Sequence, residues 1–168
     1  MSRALFLDRD GVINDNKKYV NKPEDLIIYD NAKIALKKAY EKGYILFIVT
    51  NQGGVERGHL KEQVLNNIHE KLVDELKDYC KFKEIVFCPD FDSKSKCRKP
   101  NPGMIIDLAK KHNINLEKSF MIGDRDTDVT AGINAKTRTC KIGKEDIRAD
   151  INGDDLLEVV NKILLLDI

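Results

Sequence analysis

The sequence has 168 residues and carries 29 lysines and arginines against 28 aspartates and glutamates, a net charge of +1. This balance argues against a nucleic acid or a membrane surface as a partner recognised through overall charge, and no stretch approaches the roughly 20 apolar residues of a membrane span. The length predicts a single domain over residues 1–168 with a sizeable core.

The first apolar run begins at Ala4, which leaves no room for an export signal, so we expect a cytoplasmic protein. The four cysteines are few and scattered, at Cys80, Cys88, Cys97 and Cys140. In a chain without an export signal, we expect reduced thiols rather than a disulfide framework. The sequence is compatible with a monomer and does not set an oligomeric state.

Short apolar runs and amphipathic segments alternate along the chain. Buried strands are predicted where apolar runs are bounded by turn-forming residues, at Ala4–Leu7, Ile45–Val49, Ile85–Cys88, Phe120–Ile122 and, more weakly, Thr139–Ile142. Helices are predicted from apolar stripes over Asn31–Lys42, Leu60–Tyr79, a segment with Asn101 as cap and Pro102 as first residue, Asp126–Asn134, and Asp154 to about Leu165. The alternation predicts an α/β fold, a Rossmann-like parallel sheet with helices on both faces. Ligands of such sheets bind at the carboxyl ends of the strands.

The end of the first predicted strand carries two carboxylates one residue apart, Asp8 and Asp10, followed by Gly11. At this spacing one carboxylate can attack an electrophile while the other, on the turn, gives and takes a proton. Both can also help to hold a divalent cation that prefers oxygen ligands. The alternative is a strand that ends in a solvated acidic turn.

Three further segments carry polar groups that are expected at the same edge of the sheet. Thr50–Gly54 offers a hydroxyl, an amide and glycine-rich backbone donors, a set that can cradle an anion. Arg98 and Lys99 stand just before a predicted helix N-terminus, and Asp124 follows the fourth strand. Each segment alone is also typical of an ordinary loop, a solvated turn or a helix cap. Together and in this order they match what phosphoryl transfer through an aspartate requires.

The combined motifs resemble the haloacid dehalogenase (HAD) superfamily of aspartate-nucleophile phosphatases over essentially the whole chain. They are most similar to the group that contains the heptose 1,7-bisphosphate phosphatases and the histidinol-phosphatases. The matching stretches are FLDRDGVIN (6–14), YVNKPEDL (19–26), TNQGGVERG (50–58), CRKPNPGM (97–104) and IGDRDTD (122–128). The segment between Gly11 and Thr50 is too short for a large cap, so no cap domain is expected.

The resemblance implies a role for each motif. Asp8 would be the nucleophile that forms an aspartyl-phosphate, and Asp10 would protonate the leaving oxygen and then activate water. Thr50 and Lys99 would hold the transferring phosphoryl oxygens. Magnesium would be held by the Asp8 carboxylate, the Asp10 main-chain carbonyl and Asp124. Substrate contacts would fall on Asn16, Lys17, Lys18, Tyr19, Asn51, Gln52, Gly53, Arg98 and Arg125.

One part of the family pattern, a structural zinc site, is incomplete. Close relatives carry Cys-x-His and Cys-x-Cys, whereas this chain has Cys88-Pro89-Asp90 and Ser95-Lys96-Cys97. Structural zinc usually takes four cysteine or histidine ligands, so no zinc is expected; Cys88 is predicted to be a core thiol and Cys97 a loop residue. A mixed site completed by Asp90 or Asp92 is the alternative. The histidines offer no replacement, since none shows metal-ligand spacing, and His69 is predicted at the edge of a helix face.

The leading hypothesis is a Mg²⁺-dependent phosphatase acting on a small phosphorylated sugar, with removal of the 7-phosphate of D-glycero-D-manno-heptose 1,7-bisphosphate. Arg98 and Arg125 lie next to motif residues, so either could bind the second phosphate of such a substrate. The same chemistry would serve a histidinol-phosphate phosphatase or a nucleic-acid 3′-end phosphatase. The low net charge disfavours the nucleic-acid phosphatase. A phosphosugar-binding pseudoenzyme is the non-enzymatic alternative, which the three intact motif aspartates disfavour.

Overall fold

A parallel sheet runs through the centre of the computed structural model. The structure describes residues 1–166, so the last two residues of the predicted domain lie outside the described residues. Its strands within this range are β1 (Ala4–Leu7), β2 (Ile45–Asn51), β3 (Phe82–Cys88), β4 (Phe120–Gly123), β5 (Arg138–Ile142) and β6 (Ile151–Gly153). They lie in the order β3-β2-β1-β4-β5-β6, and every neighbouring pair is parallel.

Helices cover both faces of this sheet. They are α1 (Asp30–Glu41), α2 (Glu62–Leu76), α3 (Gly103–His112), α4 (Asp126–Ala135) and α5 (Leu156–Leu166), with short 3₁₀ turns at Pro23–Asp25 and Leu116–Lys118. The predicted α/β fold is therefore confirmed. None of the helices within residues 1–166 is long and apolar enough to cross a membrane.

The side chains of β1 alternate between two cores. Leu5 and Leu7 pack into the core that includes α1, α2 and α5, whereas Ala4 and Phe6 pack into the core that includes α3 and α4. The alternation is the two-residue period of a β-strand. All of β1 is buried because both faces of the sheet are covered, which is why this strand reads as a continuous apolar run.

The central position of β1 decides where a ligand can bind. The chain passes from β1 to β2 on one side of the sheet and later returns to β4 on the other side. A crevice opens at such a reversal of strand order, just beyond the carboxyl ends of the strands. Asp8 is the first residue after β1 and therefore stands at this crevice.

Two local features differ from the sequence-based predictions. Asn101 does not cap α3: its side-chain amide donates to the main-chain oxygens of Ser93 and Ser95 at 3.0 and 2.8 Å, and Pro102 is the N-cap residue. The strand β6 has no counterpart among the predictions because it is three residues long and places an asparagine between Ile151 and a glycine. Its pairing with β5, rather than its composition, makes it a strand.

Candidate active site

Four charged groups meet at the carboxyl end of β1. The Nζ of Lys99 lies 3.0 Å from Asp8 Oδ1 and 2.7 Å from Asp128 Oδ1, and it also donates to the main-chain oxygen of Val49 at 2.9 Å. Carboxylate oxygens of Asp8, Asp124 and Asp128 lie within 4.8 Å of one another. The fold thus joins residues from three distant motifs in one cluster.

The cluster carries more negative than positive charge. Burial and the neighbouring Asp128 raise the pKa of Asp8 to about 8, although the Lys99 ammonium acts against this rise. Burial and Asp128 also raise the pKa of Asp124. Burial opposes the charge of Lys99, but the Asp128 and Asp8 carboxylates outweigh it and raise the pKa of the lysine. A divalent cation beside these carboxylates would balance the excess charge.

The donor set fits a hard cation such as Mg²⁺. All of its side-chain donors are oxygens, which Mg²⁺ prefers, and the Oδ1 of Asp124 is buried without a hydrogen-bond partner among the described residues. Its Oδ2 accepts a hydrogen bond from the Asn16 amide at 3.1 Å. Gly11 allows the close approach, because its φ is +83° and a Cβ there would lie 2.1 Å from Asp124 Oδ2.

Asp128 is a member of the cluster that the motif analysis missed. Aspartates alternate with other residues at positions 124, 126 and 128, and this spacing does not separate them. In the structure Asp126 is exposed, whereas Asp128 is buried and its Oδ2 accepts from the Arg125 main-chain N–H at 3.1 Å. The helical period could have found it, since Asp128 begins the buried stripe that continues through Ala131, Gly132 and Ala135.

Asp10 lies near Asp8 in a separate hydrogen-bond network. Its carboxylate is 2.9 Å from the guanidinium of Arg9 and accepts from the side-chain amides of Asn14 at 3.0 Å and Gln52 at 3.2 Å. Burial alone would raise the pKa of Asp10, but Arg9 and these hydrogen bonds outweigh it and hold the pKa below its ordinary value. Asp10 is therefore ionised at neutral pH, whereas the raised pKa of Asp8 favours its protonated form.

The end of β2 supplies a hydroxyl and two amides. Thr50 is buried in the cavity wall, and its Oγ1 accepts a hydrogen bond from Gln52 Nε2 at 3.0 Å. Asn51 clamps the main chain of Lys99: its Nδ2 donates to Lys99 O at 3.1 Å, and its Oδ1 accepts from Lys99 N at 3.0 Å. This clamp fixes the lysine backbone so that the side chain reaches Asp8.

A cavity of about 750 Å³ opens over Asp8. It is lined by most of the predicted site residues, namely Asp8, Asp10, Asn16, Lys18, Tyr19, Thr50, Asn51, Gln52, Gly53, Arg98, Lys99 and Arg125. Two predicted residues lie outside this lining: Lys17, which is exposed, and Asp124, which lies in the cluster with Asp8. The structure adds Arg57 and Phe91 to the rim, where the guanidiniums of Arg57 and Arg98 lie 4.5 and 5.2 Å from the centroid of the Phe91 ring. The rim therefore has a positively charged side.

The prediction of reduced thiols is wrong for Cys88 and Cys97. Cys88 at the end of β3 and Cys97 in the loop before Arg98 form a disulfide, with Cα atoms 5.4 Å apart. The contact arises because the loop folds back over the strand end, where Ser95 Oγ donates to Asp90 at 2.6 Å. An Asp90 oxygen lies close to both sulfurs, but the thiolate is the metal-ligating form, so a disulfide leaves no thiolate pair there. The other two cysteines are buried free thiols, as predicted.

The charged cluster lies beyond the carboxyl end of β1 in a Rossmann-like sheet, where ligands of such sheets bind, and the similarity to known proteins identifies this chain as a phosphatase of the HAD superfamily. Residues 96–157 match the family model described as HAD-hydrolase-like. The D-glycero-beta-D-manno-heptose-1,7-bisphosphate 7-phosphatase of Helicobacter pylori strain 26695 is 44% identical over 142 residues, which are 82% of this chain and 81% of that protein. The chain belongs to the family of heptose 1,7-bisphosphate 7-phosphatases, and the resemblance carried by its motifs is confirmed.

A second relative and a solved structure agree with this assignment. The D-glycero-alpha-D-manno-heptose-1,7-bisphosphate 7-phosphatase of Campylobacter jejuni is 37% identical over 146 residues, 86% of this chain and 84% of that protein. The crystal structure of a D,D-heptose 1,7-bisphosphate phosphatase from B. bronchiseptica, complexed with magnesium and phosphate, has a TM-score of 0.88 at 27% identity and covers 100% of both chains. The HAD-type fold is thereby confirmed.

Proposed function

We propose that this protein is a cytoplasmic, Mg²⁺-dependent phosphatase that removes the 7-phosphate of D-glycero-D-manno-heptose 1,7-bisphosphate. The observation that carries the chemistry is the 3.0 Å contact between Lys99 Nζ and Asp8 Oδ1 in the wall of the cavity. It sets an attacking carboxylate beside a fixed positive charge, which is what stabilises a phosphoryl group in transfer. The substrate is inferred from the activities named for the relatives and from the cations around the cavity.

The first half of the reaction transfers the phosphoryl group to the protein. An Asp8 oxygen attacks phosphorus, and the bond between phosphorus and the sugar oxygen breaks. The leaving oxygen takes a proton from Asp10 and departs as the sugar hydroxyl. Lys99 and Thr50 hold the non-bridging oxygens and stabilise the charge that spreads over them. The product on the protein is an aspartyl-phosphate at Asp8.

The second half releases inorganic phosphate. Water attacks the aspartyl-phosphate, and Asp10 accepts the proton of that water as a general base. The network of Arg9, Asn14 and Gln52 suits this step because it holds Asp10 in its ionised form. For the first half Asp10 must carry a proton, and the approach of an anionic phosphate favours that form because a nearby negative charge raises the pKa of a carboxyl group.

Mg²⁺ would be held by the side chains of Asp8 and Asp124 and by the main-chain carbonyl of Asp10. When bound, it offsets the repulsion between the Asp8 carboxylate and the phosphate dianion. Support comes from the oxygen-only donor set and from the buried, unpartnered Oδ1 of Asp124. The B. bronchiseptica relative is a complex with magnesium and phosphate, which supports a magnesium-dependent reaction in this protein.

The second phosphate of the substrate would be recognised at the rim. Lys18, Arg98 and Arg125 line the cavity, and one Arg98 N–H, on Nη1, donates to the main-chain oxygen of Asp90 at 3.1 Å. That contact with the loop backbone holds the guanidinium at the edge of the cavity. A bisphosphate offers a second dianion to these cations, whereas a monophosphate does not.

A substrate panel tests this proposal. Purified protein with Mg²⁺ is assayed for phosphate release from heptose 1,7-bisphosphate, the corresponding heptose monophosphate, histidinol phosphate and a 3′-phosphorylated oligonucleotide. The highest kcat/KM is expected for the bisphosphate. Equal values for the bisphosphate and the monophosphate would refute recognition of a second anion and favour histidinol phosphate or a broader phosphatase. Binding without turnover of any of these esters would indicate a pseudoenzyme.

A further inference from the structure

Arg9 lies between Asp10 and His69 in the interior of the protein. It is 1% exposed, and the carboxylate paired with it among the described residues belongs to Asp10. Its Nε and Nη2 donate to the two oxygens of Asp10 at 3.0 and 3.1 Å, and its Nη1 lies 3.0 Å from Nε2 of His69. The prediction that His69 lies at the edge of a helix face is wrong, because α2 turns this side chain, 8% exposed, onto the turn after β1.

The chemistry of this contact fixes the protonation of the histidine. A guanidinium has five donors, no acceptor and a permanent charge, so Arg9 must donate and His69 Nε2 must accept. His69 is therefore neutral, with its proton on Nδ1. Burial and the positive charge of Arg9 favour the same form, and they lower the pKa of His69 to about 4.

We propose that His69 is a positioning residue for the phosphatase reaction: it orients the Arg9 guanidinium, which in turn holds Asp10 in place for proton transfer. The inference rests on the proposed function of Asp10. Because a guanidinium is planar and rigid, fastening Nη1 also sets the direction of the Nε–Nη2 edge that pairs with the carboxylate. Without the histidine acceptor, a buried N–H would lose its partner, and Arg9 could rotate and take Asp10 out of line.

A pair of amide variants separates positioning from packing. In His69→Gln the side-chain oxygen can reach the place of Nε2, whereas in His69→Asn it lies one methylene short, near the place of Nδ1. Both are assayed by rapid mixing in the first turnover, with an alkyl phosphate and with p-nitrophenyl phosphate. The alkyl ester needs a proton from Asp10 to release its alkoxide, while p-nitrophenolate leaves without one.

The two esters should respond differently to His69→Asn. First-turnover cleavage of the alkyl phosphate should slow by about tenfold or more, a part of the roughly 10²–10⁴-fold that general acid–base catalysis supplies, with KM little changed. The p-nitrophenol burst should keep its rate, and His69→Gln should restore alkyl cleavage. Equal losses on both esters, no loss on either, or no rescue by glutamine would overturn the proposal.

Two further proteins keep the test decisive. Ile68→Val trims a buried neighbour on α2 that is absent from the cavity lining, and it should leave both burst rates unchanged. If His69→Asn does not fold, Arg9→Lys replaces it, since an ammonium cannot span both partners, and the same loss on the alkyl ester alone is expected. Failure of the unmutated protein to release phosphate from any ester of the substrate panel would overturn the proposed function and this inference together, whereas the outcomes above overturn the inference alone.

Discussion

The buried cluster at Asp8 and the exposed rim of the same cavity are built in different ways. The cluster lies at the carboxyl end of the central strand, where Lys99 contacts two carboxylates at 2.7 and 3.0 Å. The rim is made of loop side chains, with Tyr19 88% exposed and Phe91 49% exposed. In the proposed mechanism the sheet fixes the reacting groups and the loops present the groups that select the substrate, so changes in one region can leave the other intact.

The largest effect is expected from removing the proposed nucleophile in the cluster. Asp8→Asn cannot form an aspartyl-phosphate, so turnover should fall by roughly 10⁴-fold or more. Asp10→Asn should be milder, at about 10²–10⁴-fold, with slow hydrolysis of the phosphorylated protein. Steady-state assays on protein whose circular dichroism matches the unmutated chain check both values. Normal turnover by Asp8→Asn would contradict the proposed mechanism.

Removal of the metal should abolish activity, and it should make the stability of the protein depend on the protonation of Asp8. Without Mg²⁺, folded Asp8 keeps its proton up to a pKa of about 8, whereas its ordinary value is 3.8. The folded state then binds more protons than the unfolded state between these values, so this group's contribution to stability falls as pH rises through that window. Above about pH 8 the loss is complete, and Mg²⁺ should recover part of it.

Thermal unfolding from pH 5 to 8 in EDTA measures this effect. The comparison is with Asp8→Asn, which lacks the titrating group but keeps every other ionisable residue, including His69. The variant should gain in Tm relative to the unmutated protein as the pH rises, and each kcal/mol corresponds to roughly 2–4 °C for a chain of this size. A constant difference in Tm across the range would show that Asp8 titrates normally. Excess Mg²⁺ should close the gap and restore activity.

A smaller effect is expected at the rim. Arg98→Ala should raise KM for a sugar bisphosphate by about ten- to a hundredfold, because a charged hydrogen bond contributes about 1.5–3 kcal/mol. The preference over the monophosphate should shrink accordingly, with kcat nearly unchanged. Lys96→Ala removes an exposed cation from the same loop that does not line the cavity, so its kinetic constants should match the unmutated protein. A fall in kcat alone for Arg98→Ala would argue against a binding role.

The smallest effect is expected at the Cys88–Cys97 loop. Elemental analysis of protein purified without chelators should find no stoichiometric zinc, because the loop holds two cysteines and a carboxylate where structural sites use four cysteine or histidine ligands. Repeating the analysis after reduction of the Cys88–Cys97 disulfide tests whether the freed thiolates bind zinc. One zinc ion per chain in either form would show that Asp90 completes a mixed site.

The regions also differ in how far the sequence predicts them. The strand ends that carry Asp8 and Asp124 can be predicted from the sequence, because buried parallel strands are short apolar runs with abrupt ends. Asp128 and His69 do not stand out in a local motif, because the role of each depends on which face of a helix meets the sheet, and Asp128 could be found only through the helical period of the buried stripe of α4. The disulfide is likewise hidden, since it depends on the path of a loop rather than on a local pattern. Local composition thus predicts the residues proposed to react, whereas the residues that hold them in place are decided by tertiary contacts.

The alternation of side chains along β1 has a consequence for insertions and deletions. With only four residues in the strand, adding or removing a single residue would exchange the side chains that face the two cores. It would also displace Asp8 by roughly 3.3 Å, one residue's rise along a strand, and turn its side chain to the opposite face. Length variation should therefore be tolerated by the fold in the exposed residues 16–19, which end just before the buried core residue Val20, but not between Ala4 and Asp8.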